Sequence, residues 1–104
     1  VPFAADFDLD SLNHPVVPLG IVQAEKDRWL VPQFHSMPVI AACRSCETIA
    51  SLASAGHGAL LAPLPPDLDN RVGRLLADPP GFDRAQLPAL YDRIARFFDR
   101  HLLP

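Results

Sequence analysis

The sequence predicts an α/β fold built on a parallel sheet, and three features carry that expectation. Val16 to Ala24 (VVPLGIVQA) is almost continuously apolar and β-branched, too short for a good helix, and ends in the charged turn Glu25-Lys26-Asp27-Arg28. A second β-like run, Glu47 to Leu52 (ETIASL), enters the turn Ala53-Ser54-Ala55-Gly56-His57-Gly58. Between them, Pro32 to Arg44 opens on Pro and places Ser36 two residues before Pro38, a cap and first-turn arrangement for a helix through Ala42. Strand, helix, strand in one sheet makes a right-handed crossover with parallel strands, whose ligand-facing positions lie past the strands' carboxyl ends.

The remaining elements follow from proline and periodicity. Twelve Pro in 104 residues punctuate the chain without forming a repeat. Residues 1–15 alternate acids and apolar side chains without sustained period and read as a connector with a short turn at Asp10–Leu12; the domain is expected over 16–104. The segment 62–71 (APLPPDLDNR) is a Pro-rich bend leading to a short helix around Asp69–Ala77, and 78–83 (DPPGFD) is another bend. Asp83 is placed to cap a last helix. Its apolar positions Leu87, Leu90, Tyr91, Ile94, Phe97, Phe98 and Leu102 recur at three- and four-residue steps, opposite Asp92, Arg93, Arg96, Asp99 and Arg100. Such a helix covers an apolar surface, here one face of the sheet.

Composition bounds the function. At 49% hydrophobic and 20% charged the chain is expected to build one core, and nine Lys+Arg against twelve Asp+Glu leave a net charge of −3, with no electrostatic footprint for nucleic acid or an anionic membrane. No apolar run approaches the ~20 residues that span a bilayer. The chain opens on Val1 and its one methionine is Met37, so it is expected to be a piece of something longer.

Asp27 and His57 each sit in a turn after a predicted strand, and one strand-helix-strand unit brings such turns together. A carboxylate beside an imidazole accepts the Nδ1 hydrogen, fixes the tautomer and stabilises the imidazolium that forms when Nε2 takes a proton. Gly56 and Gly58 flank His57, letting the backbone turn tightly and leaving the ring uncrowded. By spacing alone a Gly-His-Gly of this kind is more often an ordinary turn than a catalytic one. His35, with Trp29 and Phe34 nearby, follows the acid turn at the same edge and is a substrate-pocket candidate together with Trp29, although loop packing is the commoner role for such a residue. His14 and His101 read as structural, the latter near a helix end where its charged form favours the dipole. Cys43 and Cys46 form a C-x-x-C where a helix is expected to end, with no second pair to complete a zinc site, and read as an incidental pair of half-buried thiols that an oxidising compartment would join.

With these residues in place the chain resembles the C-terminal part of an α/β-hydrolase, most of all dienelactone hydrolases and related esterases. The resemblance rests on residues 17–32 (VPLGIVQAEKDRWLVP), 47–58 (ETIASLASAGHG), the Pro-rich bend after them and 94–102 (IARFFDRHL), and covers 16–103. It implies a partial α/β-hydrolase fold: two late parallel strands, a crossover helix and a C-terminal amphipathic helix. Asp27 is then the acid, preferred over Glu25 because Pro32 follows a few residues on, and His57 the base. The function implied is hydrolysis of an ester or lactone by a serine- or cysteine-type enzyme, with no metal or organic cofactor.

None of Ser11, Ser36, Ser45, Ser51 and Ser54 has the two flanking glycines of a G-x-S-x-G elbow, so the nucleophile, the oxyanion-hole loop and the first strands are expected upstream of Val1, and the isolated chain is expected to be inactive. The partner expected is that missing half of the domain or a second copy, meeting an apolar surface of Val17, Leu19, Ile21 and part of Leu90–Phe98. The alternative is a non-catalytic assembly or partner-binding module with the same fold fragment, in which Asp27 and His57 do not touch.

Overall fold

The computed structural model describes residues 15–63 and 71–104. Its centre is a two-stranded parallel sheet of β1 (Gly20–Ala24) and β2 (Glu47–Leu52), joined through a short 3-10 turn at Pro32–Phe34 and helix α1 (Ser36–Ala42). Helix α2 (Arg71–Leu76), a 3-10 turn at Arg84–Gln86 and the long helix α3 (Leu87–Leu102) complete the described chain. The architecture is mixed, with helices around a parallel pair, as the periodicity predicts. The connector and its turn at Asp10–Leu12 lie outside the described residues, except for Pro15.

β1 begins four residues later than the apolar run. Pro18 has no N–H to give to a ladder, and Val16 and Val17 stand exposed before it, while the Leu19 carbonyl still accepts from the Glu47 N–H at 3.0 Å. The register pairs Gly20 with Glu47 and Ala24 with Leu52 through an irregularity between Ile21 and Val22. Beyond the strands the pairing continues into the turns: the Glu25 N–H donates to the Leu52 carbonyl at 3.0 Å and the Lys26 N–H to the Ala55 carbonyl at 2.9 Å. The turns carrying Asp27 and His57 are therefore hydrogen-bonded side by side.

Ser36 departs from its expected role as a cap. It is the first residue of α1, and its hydroxyl donates to Gln23 Oε1 at 2.5 Å, tying the crossover helix to β1 instead of closing the helix end. Pro38 fits because the first-turn N–H groups have no intrahelical acceptor. At the other end Cys43 and Cys46 are joined in a disulfide with Cα atoms 5.4 Å apart, and Cys43 is buried, where a half-buried thiol pair is the sequence expectation.

The core is formed by Ile49, Ala50 and Leu52 of β2, Ala55 and Ala59 of the loop after it, and Leu87, Leu90 and Phe97 of α3, with Val22, Ala24, Phe82 and Ile94 at its edge. A Cβ on Gly20 would come within 2.6 Å of Ile49 Cδ1 and 3.1 Å of the Phe97 ring, so the missing side chain lets α3 close on the sheet. Polar contacts fix the helix along β2: Arg93 donates to the Ile49 carbonyl, and Arg100 holds both carboxylate oxygens of Glu47 at 2.7 Å. Asp83 accepts from the Ala85 N–H at 2.9 Å, capping the 3-10 turn that leads into α3.

The buried stripe of α3 is narrower than its periodicity suggests. Phe98 and Leu102 remain 52% and 74% exposed and Tyr91 is also exposed, because a surface only two strands wide covers little more than one line of side chains. Leu90 and Phe97, expected to help meet a partner, are already buried in the chain's own core. Helix α2, described over Arg71–Leu76, ends one residue before the expected Ala77, and Asp69 and Asn70 lie outside the described residues.

Candidate active site

The turn after β1 builds a rigid seat for a carboxylate. The Asp27 N–H closes back on the Ala24 carbonyl at 3.2 Å, and Asp27 Oδ1 accepts the N–H groups of Trp29 and Leu30, each at 2.9 Å. This Asx turn fixes the side chain before any other group meets it. His57, in the turn after β2, then presents Nδ1 to both oxygens, 3.0 Å from Oδ2 and 3.2 Å from Oδ1. A carboxylate only accepts, so Nδ1 carries the hydrogen, and in the neutral imidazole that makes Nε2 the lone-pair nitrogen. The Asp27 side chain is 11% exposed and that of His57 29%, an acid screened from water beneath a base that reaches it.

Burial alone would raise the Asp27 pKa. The Leu30 N–H, the His57 side chain and the Trp29 N–H together outweigh that cost and hold the carboxyl below its ordinary value. The acid thus stays ionised in the range where an imidazole exchanges protons.

Glu25, two residues earlier in the same turn, faces elsewhere. Its Oε2 accepts from Ser51 Oγ at 2.9 Å, and Ser51 in turn accepts from Gln23 Nε2 at 2.9 Å, extending the line that begins at Ser36. Of the two candidate acids the structure brings Asp27 to the histidine.

The two pocket candidates lie in different hollows. Trp29, 57% exposed, lines an open cleft of about 870 Å³ with Arg28, Arg74, Asp78 and Pro79, and His57 forms part of its wall. His35 lines a smaller, more apolar cavity of about 270 Å³ with Ser36, Leu52 and Leu60, also walled by His57. Asp27, Gly56 and His57 line both hollows, and Trp29 and His35 share neither.

The glycines beside His57 are required for a reason the sequence conceals. Neither has a positive φ, which among the described residues belongs to Gly81 alone. A Cβ on Gly56 would approach Pro79 Cδ to 2.8 Å, and one on Gly58 would overlap the Leu76 carbonyl oxygen and come within 2.9 Å of the Leu76 Cα. The histidine turn is pressed against segment 76–79, so the glycines supply room rather than unusual backbone angles. Arg84 is a residue that motif reading misses altogether. Its guanidinium spans Asp78 and the carbonyls of Gly58 and Leu61, and a lone arginine after a bend gives no sign of that in the sequence.

His101, in the last turn of α3, packs against Phe97 with ring centroids 4.6 Å apart and the planes tilted by 57°. Among the described residues no group of three or more His, Cys, Asp or Glu side chains is arranged to hold a metal ion, no helix is long and apolar enough to cross a membrane, and no serine hydroxyl is hydrogen-bonded to His57. No protein-family model, curated protein or solved structure matches the chain. What the site can do is therefore argued from its chemistry: an ionised carboxylate holding an imidazole with Nε2 as acceptor is a general base, and, once protonated, a general acid.

Proposed function

We propose that this chain supplies the acid and the base of a serine- or cysteine-type α/β-hydrolase acting on an ester or lactone. The observation that carries the reading is the pairing of Asp27 with His57 Nδ1 at 3.0 Å, each in the turn after one of two adjacent parallel strands. The resemblance of residues 16–103 to the late part of that fold supports it. On this reading the nucleophile and the oxyanion donors come from outside residues 1–104, because no serine here has the flanking glycines of an elbow. The open edge of β1 and the exposed Val17 are then covered by the rest of the domain or by a second copy.

His57 Nε2 takes the proton of the nucleophile as its oxygen or sulfur bonds to the substrate carbonyl carbon. Collapse of the tetrahedral adduct breaks the ester bond, and the departing alkoxide takes that proton from Nε2. A water then loses a proton to Nε2 as it attacks the acyl carbon, and the proton returns to the nucleophile when the acid leaves. Asp27 remains a carboxylate throughout and stabilises each imidazolium. In a lactone the alkoxide and the acid are the two ends of one opened ring.

The test uses the full-length protein that contains these residues. His57→Ala lowers kcat for ester hydrolysis by about 10⁴-fold or more, as removal of a triad base does. Turnover close to wild type would remove His57 from catalysis and the reading with it. The 104-residue chain alone gives no burst of alcohol from an activated ester.

A further inference from the structure

The turn that carries His57 is held from outside itself by the guanidinium of Arg84. Arg84, in the 3-10 turn before α3, donates from Nε to Asp78 Oδ2 at 2.6 Å and from one terminal nitrogen to Asp78 Oδ1 at 3.1 Å. The same nitrogen reaches the Gly58 carbonyl at 3.1 Å, and the other donates to the Leu61 carbonyl at 2.6 Å. The side chains of Arg84 and Asp78 are 26% and 20% exposed, so the pair is largely withdrawn from solvent. Only a planar guanidinium offers donors in this fork; the ammonium of lysine is a point charge.

Its targets set its role. Gly58 directly follows His57, and its carbonyl also accepts the Leu61 N–H at 3.0 Å, so the guanidinium locks both ends of one turn. Asp78 belongs to the segment against which Gly56 and Gly58 are pressed, with Leu76 and Pro79 as the contact points. Arg84 therefore draws that segment and the histidine turn together, tying Asp78 to the two carbonyls that follow His57 in the chain, while the imidazole itself meets Asp27. Tyr91 donates to the Leu60 carbonyl at 2.8 Å, a second and simpler tie from α3 to the same loop.

We propose that Arg84 is the positioning residue of His57, its guanidinium joining Asp78 to the Gly58 and Leu61 carbonyls so that Nδ1 stays on Asp27. Its relevance to turnover rests on the hydrolase reading, but the geometric claim is tested without substrate. In the ¹⁵N-labelled full-length protein that contains these residues the hydrogen-bonded Nδ1 proton of His57 gives a low-field resonance whose exchange with water reports opening of the Asp27–His57 pair. Arg84→Gln speeds that exchange about tenfold, the effect of losing charge-assisted hydrogen bonds, while far-UV circular dichroism keeps its helical signal. Tyr91→Phe, which cuts the tie at Leu60 alone, leaves the exchange within about twofold of wild type, since one neutral hydrogen bond at a neighbouring carbonyl is a smaller loss.

Unchanged exchange in folded Arg84→Gln overturns the proposal, as does an equal acceleration in Tyr91→Phe, which would make any loosening of the loop sufficient. Should Arg84→Gln fail to fold, Asp78→Asn carries the test, because it leaves the guanidinium in place and weakens its anchor; faster exchange in that variant supports the clamp and unchanged exchange rejects it. These outcomes are independent of whether His57→Ala abolishes hydrolysis in the full-length protein, so failure of the clamp and failure of the hydrolase reading are told apart.

Discussion

Gly58 packs so closely on Leu76 that any side chain at position 58 would overlap the Leu76 carbonyl oxygen. The neighbour is backbone, held at the end of α2, and cannot turn aside as a flexible side chain would. The position of His57 is thus set as much by the segment packed on its turn as by the carboxylate its imidazole meets.

Gly58→Ala is expected to push the turn off segment 76–79 and break the Asp27–His57 pairing, with loss of the low-field Nδ1 proton and a fall in urea midpoint. Gly81→Ala is the control. Gly81 has φ +87° but its added Cβ would meet nothing nearer than Ser54 Oγ at 3.6 Å, so it costs about 1–2 kcal/mol of backbone strain and leaves the imidazole resonance in place. An intact Nδ1 signal in Gly58→Ala would show that the turn has slack the contact distances deny.

Asp27 also marks the acid side of stability. Its pKa is lower in the folded chain than in the unfolded one, so the folded state binds fewer protons and gains stability from this group above the unfolded value. That contribution falls away as pH drops through the folded value. Urea midpoints measured from about pH 5 downward should therefore decline more steeply for wild type than for Asp27→Asn. Parallel declines would mean that the Trp29, Leu30 and His57 contacts do not lower this carboxyl.

Much of the site was legible because its signals are local. The run before Glu25 and the run before Ala53 each read as strands, the segment between them as a crossover helix, and the two turns at their ends are where Asp27 and His57 meet. What escaped is long-range. The periodicity of α3 names Tyr91, Phe98 and Leu102 as apolar, but how many are buried depends on the width of the sheet beneath them. Arg84 lies 26 residues from Gly58, and nothing near it in sequence tells a clamp from a solvated arginine. Ser36 looked like a cap because caps are local, whereas its actual acceptor, Gln23, is 13 residues away across the crossover.

The disulfide lies at the opposite end of β2 from His57, between the end of α1 and the start of the strand. Closing so short a loop restricts the unfolded chain by about 2 kcal/mol in the chain-entropy model. Reduction should lower the urea midpoint correspondingly and leave the His57 Nδ1 resonance unchanged, because the ties that position His57 lie beyond the other end of the strand. If the resonance disappears on reduction while the chain stays folded, the Cys43–Cys46 link and the site are coupled through β2.

The last expectation concerns which face of α3 holds the domain together. Leu90 is 3% exposed among core residues of β2, whereas Phe98, two turns on, is 52% exposed. Leu90→Ala removes buried methyl groups from a core of small size and should cost about 2–5 kcal/mol, with a visible loss of cooperative unfolding in a domain whose total stability is modest. Phe98→Ala deletes a larger side chain but uncovers little, and should change stability by less than about 1 kcal/mol at low protein concentration. The comparison distinguishes a self-contained helix face from a shared one. If Phe98→Ala is mild in dilute solution but grows costly as concentration rises, a second copy covers Phe98. If it is mild throughout while Leu90→Ala unfolds the chain, the packing of α3 on its own sheet carries the stability, and the exposed ring adds no more than its edge-on contact with Phe97 at 5.8 Å.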